Sequence, residues 1–151
     1  MVRITFASWV LECDPEATRG VLAALPAGGP EECGCLYCRN FVLARATVYG
    51  PRFRALLAAL GVPPDRESEV YENGPGARPG YRLYGGWFNA VGRVIAGPEG
   101  AELAGKAADP GLEVGIVPAK ALVPDALAGR EVLEIGFHVQ VPWLVPDPEP
   151  N

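Results

Sequence analysis

The sequence is poor in the residues that most hydrolytic mechanisms use. It contains one histidine, His138, and two serines, Ser8 and Ser68, neither of which lies in a G-x-S-x-G motif. His138 shares the polar face of a predicted strand with Glu134, a placement more typical of a solvated sheet face than of an acid–base pair. The composition therefore favours a protein that is not an enzyme, and it assigns no catalytic residue.

The chain also lacks the long apolar segments that membranes require. No apolar run reaches 18 residues, so we expect no membrane-spanning segment. Arg3 is soon followed by Glu12 and Asp14, with no small-residue cleavage site, which indicates a strand rather than a signal peptide. Without an export signal we expect a cytoplasmic location, in which thiols stay reduced.

The charge is acidic overall but unevenly distributed. A formal net charge of −5 argues against general nucleic-acid binding, because the phosphate backbone is also negative. Residues 33–64 nevertheless contain no acidic residue. Four arginines lie in that segment: Arg39, Arg45, Arg52 and Arg54. They predict a contact surface for an anionic partner, although pairing with the protein's own carboxylates is the alternative.

Hydrophobic periodicity and capping residues predict a mixed fold. Helices are expected over about residues 15–25, 36–48 and 51–60, because each begins near Pro or Cys and ends near Gly or Pro. Strands are expected over residues 2–11, 69–72, 81–95, 112–117 and 130–141. The glycines Gly85, Gly86 and Gly92 indicate a bulge or bend within the third of these strands.

This order of elements predicts the architecture. Residues 130–141 alternate apolar and polar side chains, as expected for a sheet that is covered on one face. We therefore predict an α+β fold in which two or three helices pack on one face of an antiparallel sheet. It should form one domain over residues 1–145, with a mobile Pro-rich tail over residues 146–151.

The most distinctive chemistry is a cysteine cluster. Cys33, Cys35 and Cys38 lie within six residues, and Cys13 lies twenty residues upstream of the first of them. Zinc prefers four tetrahedral Cys or His ligands, so a site made by all four thiolates is chemically reasonable, and His138 could replace Cys13. Two other interpretations stay open at this point: buried structural thiols, and a redox pair formed by Cys35 and Cys38.

A second motif resembles a phosphate-binding loop. Residues 100–107 follow the spacing G-x-x-x-x-G-K, but Ala107 occupies the position at which a hydroxyl group would contact magnesium. Asp109-Pro110-Gly111 follows at once, which leaves no room for the required helix. We therefore predict an exposed loop here rather than a nucleotide site.

Aromatic residues beside glycines form a further candidate surface. Tyr84 and Trp87 flank the pair Gly85-Gly86, and both residue types are enriched at protein interfaces. A role in the core of the sheet is the alternative, because only 9% of the chain is aromatic.

Three segments together suggest a relationship. Residues 35–41 read C-L-Y-C-R-N-F, residues 83–88 read L-Y-G-G-W-F, and residues 141–143 read V-P-W. With these three segments in this order, the chain resembles a family of small, uncharacterised bacterial and phage-associated proteins. That family has no established activity, so the resemblance implies a single bacterial domain and supplies no catalytic residue.

The sequence thus favours a small accessory or regulatory protein that binds another macromolecule, most readily a protein, without catalysing a reaction. A structural-zinc protein that uses the cysteine cluster is the first alternative. An enzyme that uses a reactive Cys35 or Cys38 is the second.

Overall fold

The structure is a computed structural model, and it describes residues 1–98, 109–120 and 123–150. The elements, in chain order, are β1 (Val2–Phe6), β2 (Trp9–Cys13), α1 (Pro15–Ala23), α2 (Gly29–Cys33), α3 (Leu36–Val48), α4 (Pro51–Leu60), β3 (Glu69–Pro75), β4 (Tyr81–Ala96), β5 (Leu112–Pro118) and β6 (Val132–Pro142), with a short 3-10 helix (Asp125–Leu127) before β6. In these residues, no helix combines the length and the apolar composition that a membrane crossing requires.

All strand pairs are antiparallel, and β4 is the centre of the six-stranded sheet. One edge of β4 pairs with β6, which in turn pairs with β5. The other edge of β4 pairs with β3 along its first half and with β2 along its last residues, and β1 lies outside β2. The α+β prediction is confirmed, with four α-helices in the described residues rather than two or three.

The core lies between the helices and one face of this sheet. Phe41 of α3 stacks on Phe137 of β6 with 6.3 Å between ring centroids, and Phe53 of α4 meets the same ring edge-to-face at 6.2 Å, so aromatic rings join the two layers. The predicted alternation along β6 is confirmed. From Leu133 onward every second side chain is buried, namely Leu133, Ile135, Phe137, Val139 and Val141, while the residues between them are partly exposed.

The N-terminal strand is a hairpin, which corrects the single strand predicted over residues 2–11. The chain turns at Ala7 and Ser8, where Ala7 adopts a positive φ of 50°. Neither residue is a glycine, proline or asparagine, so the usual sequence signals of a tight turn are missing. The consequence is that Cys13 pairs with Val2 at the end of the hairpin.

Gly85 and Gly86 of β4 allow close packing and do not form the predicted bulge or bend. A Cβ atom at Gly85 would lie 2.6 Å from the side chains of Tyr71 and His138, and one at Gly86 would lie 2.3 Å from the Glu69 carbonyl oxygen. The strand runs through both positions without a break. Its register shifts elsewhere, opposite Val10 on β2 and near the end of β3.

The C-terminal tail contacts the domain. The Trp143 Nε1–H donates to the Asp147 carbonyl at 2.8 Å. Arg82, which is only 4% exposed, donates to the Pro150 carbonyl at 2.8 Å and to Glu149 at 3.2 Å. These contacts place residues 147–150 beside the start of β4, and the mobility of the tail stays a prediction.

Candidate metal centre

The site begins at a sharp turn between two helices. Helix α2 ends at Cys33, and Gly34 then adopts a left-handed conformation with φ of 65° while its N–H donates to the Pro30 carbonyl. Cys35 is extended and caps α3, its Sγ accepting a hydrogen bond from the Cys38 N–H at 3.4 Å. The turn at Gly34 therefore brings the end of one helix onto the start of the next.

Three thiols converge at this turn. The Sγ atoms of Cys33, Cys35 and Cys38 all lie within 4.8 Å of one another. Because a zinc–sulfur bond is about 2.3 Å long, two thiolates on one tetrahedral ion lie about 3.8 Å apart, so small side-chain shifts would place all three on one ion. Cys33 and Cys35 are exposed, whereas Cys38 is only 5% exposed and forms the floor of the cluster.

Cys13 does not join this cluster, so the predicted set of four converging cysteines is corrected to three. The β1–β2 hairpin buries Cys13 completely, and its Sγ donates to the Val2 carbonyl at 3.6 Å. Burial raises the pKa of the Cys13 thiol. Cys13 is thus a core residue, as the structural-thiol alternative predicted for it.

His138 does not replace Cys13. It lies on the face of β6 that points away from the core, and its Nε2 atom is 3.2 Å from the hydroxyl oxygen of Tyr71. Helix α3, which contains Cys38 and is capped by Cys35, packs against the opposite face of the sheet. The sheet therefore separates the imidazole from the cysteine cluster.

The local electrostatics differ among the three thiols. Partial burial opposes ionisation of Cys35, but hydrogen bonds from the Cys38 N–H and from the neighbouring thiols outweigh it and lower the Cys35 pKa. Burial, together with the same neighbours, raises the pKa of Cys38. Thiols at this spacing can share a metal ion or take part in thiol–disulfide exchange.

The first turns of α3 are fixed by a residue that sequence analysis did not single out. Asn40 is fully buried, and its Oδ1 accepts hydrogen bonds from the N–H groups of Leu144 and Val145 at 2.7 and 3.2 Å. Its Nδ2 donates to the Pro142 carbonyl at 3.1 Å. Asn40 therefore ties the site helix to the end of β6. The only sequence signal for this role is an amide on the apolar face of a helix.

Comparisons with protein-family models, curated proteins and solved structures give no match for this chain. The resemblance to small bacterial and phage-associated proteins stays a prediction. In this structure, the quoted residues have clear local roles: Cys35 and Cys38 belong to the thiol cluster, and Asn40 and Phe41 fix α3 to the sheet.

The four arginines predicted to contact a partner differ in their surroundings. Arg45 is held by Glu31 at 2.7 Å and by Glu67 at 2.8 Å, so the alternative of pairing with the protein's own carboxylates applies to it. Arg54 is exposed and donates to the Ala46 carbonyl at 2.6 Å. Arg39 and Arg52 are exposed, which leaves their guanidinium groups accessible. Partner binding by the exposed arginines stays a prediction.

The aromatic candidates also divide. Tyr84 is fully buried, and its hydroxyl donates to the Tyr37 carbonyl at 2.8 Å, so this residue belongs to the core rather than to a contact surface. Trp87 is half-buried on the outer sheet face beside Tyr71, with 6.4 Å between ring centroids.

The loop with phosphate-loop spacing, residues 100–107, lies outside the described residues.

Proposed function

We propose that this protein binds a zinc ion through Cys33, Cys35 and Cys38. The observation that carries the proposal is the convergence of the three Sγ atoms to within 4.8 Å at one turn. Thiolates are soft ligands that suit zinc, and a mononuclear ion is the simplest occupant of three converging sulfurs.

Two features of the cluster support a metal ion over a redox pair. A redox pair needs two cysteines, whereas here a third, Cys33, is brought to the same point by the left-handed turn at Gly34. The cluster also has one buried and two exposed thiols, an arrangement that lets an ion reach the site and yet rest against a fixed ligand, Cys38.

The test is metal titration of the reduced protein. Cobalt(II) would be added to protein kept in a non-thiol reductant, and sulfur-to-cobalt charge-transfer absorption would be followed, with zinc then used to displace the cobalt. We expect saturation at about one ion per chain and complete displacement by zinc. Replacing Cys33, Cys35 or Cys38 singly by Ser should weaken binding at least about tenfold, since each change removes a thiolate.

Cys13→Ala is the matched control, because Cys13 is the one cysteine outside the cluster. It should bind cobalt as the unchanged protein does. Equal loss of binding in Cys13→Ala and in the cluster variants would count against a three-cysteine site, as would the absence of any sulfur-to-cobalt absorption.

A further inference from the structure

The cluster holds fewer soft ligands than zinc prefers. Every cysteine and histidine of the chain lies in the described residues, and only three of these five side chains converge. Cys13 is buried against Val2, and His138 lies on the far side of the sheet. Structural zinc sites in proteins have four protein ligands, whereas sites with three protein ligands keep the fourth coordination position for an external molecule.

The two carboxylates that directly precede Cys33 in the sequence, Glu31 and Glu32, do not join the cluster. Glu31 is bound by both terminal nitrogens of Arg45, at 2.7 and 2.9 Å. Glu32 lines a cleft beside Arg66 and Trp87. In the part of the chain that the structure describes, no Asp or Glu oxygen joins the three sulfurs. The described residues would therefore leave one coordination position of the proposed ion unfilled.

That position is accessible from solvent. Cys33 and Cys35 are exposed, and Gly34 between them has no side chain. A Cβ atom at Gly34 would meet only the Glu31 carbonyl oxygen, at 3.9 Å, so the space beside the turn is open. An ion resting on the buried Cys38 would have its free position on the outer side, where a small molecule can approach.

The chemistry of the site selects a soft, anionic ligand. Three thiolates donate much electron density, so the ion polarises water weakly and favours another sulfur over oxygen. Of the two acids that precede Cys33, Glu31 is paired with Arg45, while residues 33–64 contain no acid and the exposed Arg39 directly follows Cys38. These basic residues offset part of the added negative charge. The N–H groups at the start of α3 add a favourable field.

From these observations we infer that the ion held by Cys33, Cys35 and Cys38 binds a low-molecular-weight thiol as its fourth ligand. This inference rests on the proposed metal site. The thiol binds as a thiolate and releases its proton to the buffer, and nothing is oxidised or reduced. The site is then one that captures small thiols, which a closed four-cysteine site would exclude.

The experiment adds 2-mercaptoethanol to the cobalt-loaded protein, with ethylene glycol as the matched ligand that lacks sulfur. We expect a saturable rise of about one third in the sulfur-to-cobalt absorption, because the number of cobalt–sulfur bonds grows from three to four. Ethylene glycol should cause no rise. The mass in solution, followed by light scattering, should not change, and Cys13→Ala should behave like the unchanged protein.

Three results would overturn the inference while leaving the metal site intact. The first is a spectrum that does not change when the thiol is added. The second is a doubled mass together with an absorption typical of four cobalt–sulfur bonds before any thiol is added. The third is an equal rise in absorption with ethylene glycol. The doubled mass would mean that a second copy of the chain supplies the fourth thiolate. Failure of cobalt to bind at all would instead overturn the proposed function, and this inference with it.

Discussion

Arg45 links three segments through a largely buried ion-pair network. Its guanidinium group donates to both oxygens of Glu31 on α2 and to both oxygens of Glu67 in the segment before β3. The Glu67 side chain is 0% exposed and also accepts a hydrogen bond from the Tyr49 hydroxyl at 2.6 Å. Burial outweighs these contacts and raises the pKa of Glu67. The cation is therefore the main compensation for a carboxylate that has no access to water.

Replacing Arg45 by Met should destabilise the protein by about 3 kcal/mol at neutral pH, because it leaves a buried charge without its partner. The loss in the free energy of unfolding should be smaller at about pH 5 than at about pH 8. Without Arg45 the folded-state pKa of Glu67 rises further above its unfolded value. A raised carboxyl pKa contributes stability at low pH that is lost as the pH rises through the folded-state value. Urea unfolding at several pH values would measure this dependence.

The matched control is Arg39→Met, which removes an exposed arginine from the same helix and should cost less than about 0.5 kcal/mol. Adding Glu67→Gln to Arg45→Met should recover at least about 1 kcal/mol, since an amide in place of the carboxylate removes the unpaired charge. Equal stability of the two single arginine variants, or no recovery in the double variant, would contradict this account of the network.

At the scale of elements, helix α4 receives its N-terminal cap from a distant residue. Its own cap position is Gly50, which has no side chain to accept a hydrogen bond. Asp109, 57 residues from Arg52, instead accepts from the N–H groups of Arg52 and Phe53 at 3.2 and 3.0 Å. A Cβ atom at Gly50 would lie 2.3 Å from the Asp109 carboxyl carbon, so glycine is needed for the carboxylate to approach.

Asp109→Ala should therefore lower the free energy of unfolding by about 1–2 kcal/mol, the usual cost of losing an N-cap side chain. Asp109→Asn should cost less, because the amide oxygen can still accept one of the two bonds. Asp65→Ala is the control, since Asp65 is half exposed and forms a surface ion pair with Arg66. A loss in Asp109→Ala no larger than in Asp65→Ala, measured by urea unfolding, would show that α4 does not depend on this cap.

The same helix marks the limit of what the sequence could predict. The bounds of α3 and α4 follow from local signals, namely Cys35 as a cap, Pro51 at a helix start and Gly61 at a helix end, and both were predicted correctly. The convergence of Cys33, Cys35 and Cys38 is equally local, because all three lie on one turn. The exclusion of Cys13 was not predictable, since it depends on a hairpin turn without glycine or proline. Asp109 and Asn40 act across more than 50 residues, and no pattern along the chain encodes such pairings.

At the scale of the whole molecule, the core and the cysteine cluster are separate. One contiguous cluster of buried apolar side chains extends from Phe6 to Val141, and it includes Cys13 but none of the three site cysteines. Helix α3 is attached to the sheet by Asn40 and Phe41 rather than by the cluster. The fold therefore has its own source of stability, unlike small zinc domains whose folding free energy comes from the metal.

Removal of the proposed zinc ion should consequently leave the protein folded. We expect the chelated protein to keep its far-ultraviolet circular dichroism and a single cooperative thermal transition, because the core contacts do not involve the ion. Zinc at about 100 times its dissociation constant should add about 2.7 kcal/mol to the free energy of unfolding, since it binds only the folded chain. In hydrogen exchange, zinc should slow those amides that exchange by local opening rather than by global unfolding. We expect this effect within residues 29–40, where α2 and α3 meet. Loss of the cooperative transition on chelation would contradict this separation, because it would mean that the ion organises the core as well as the site.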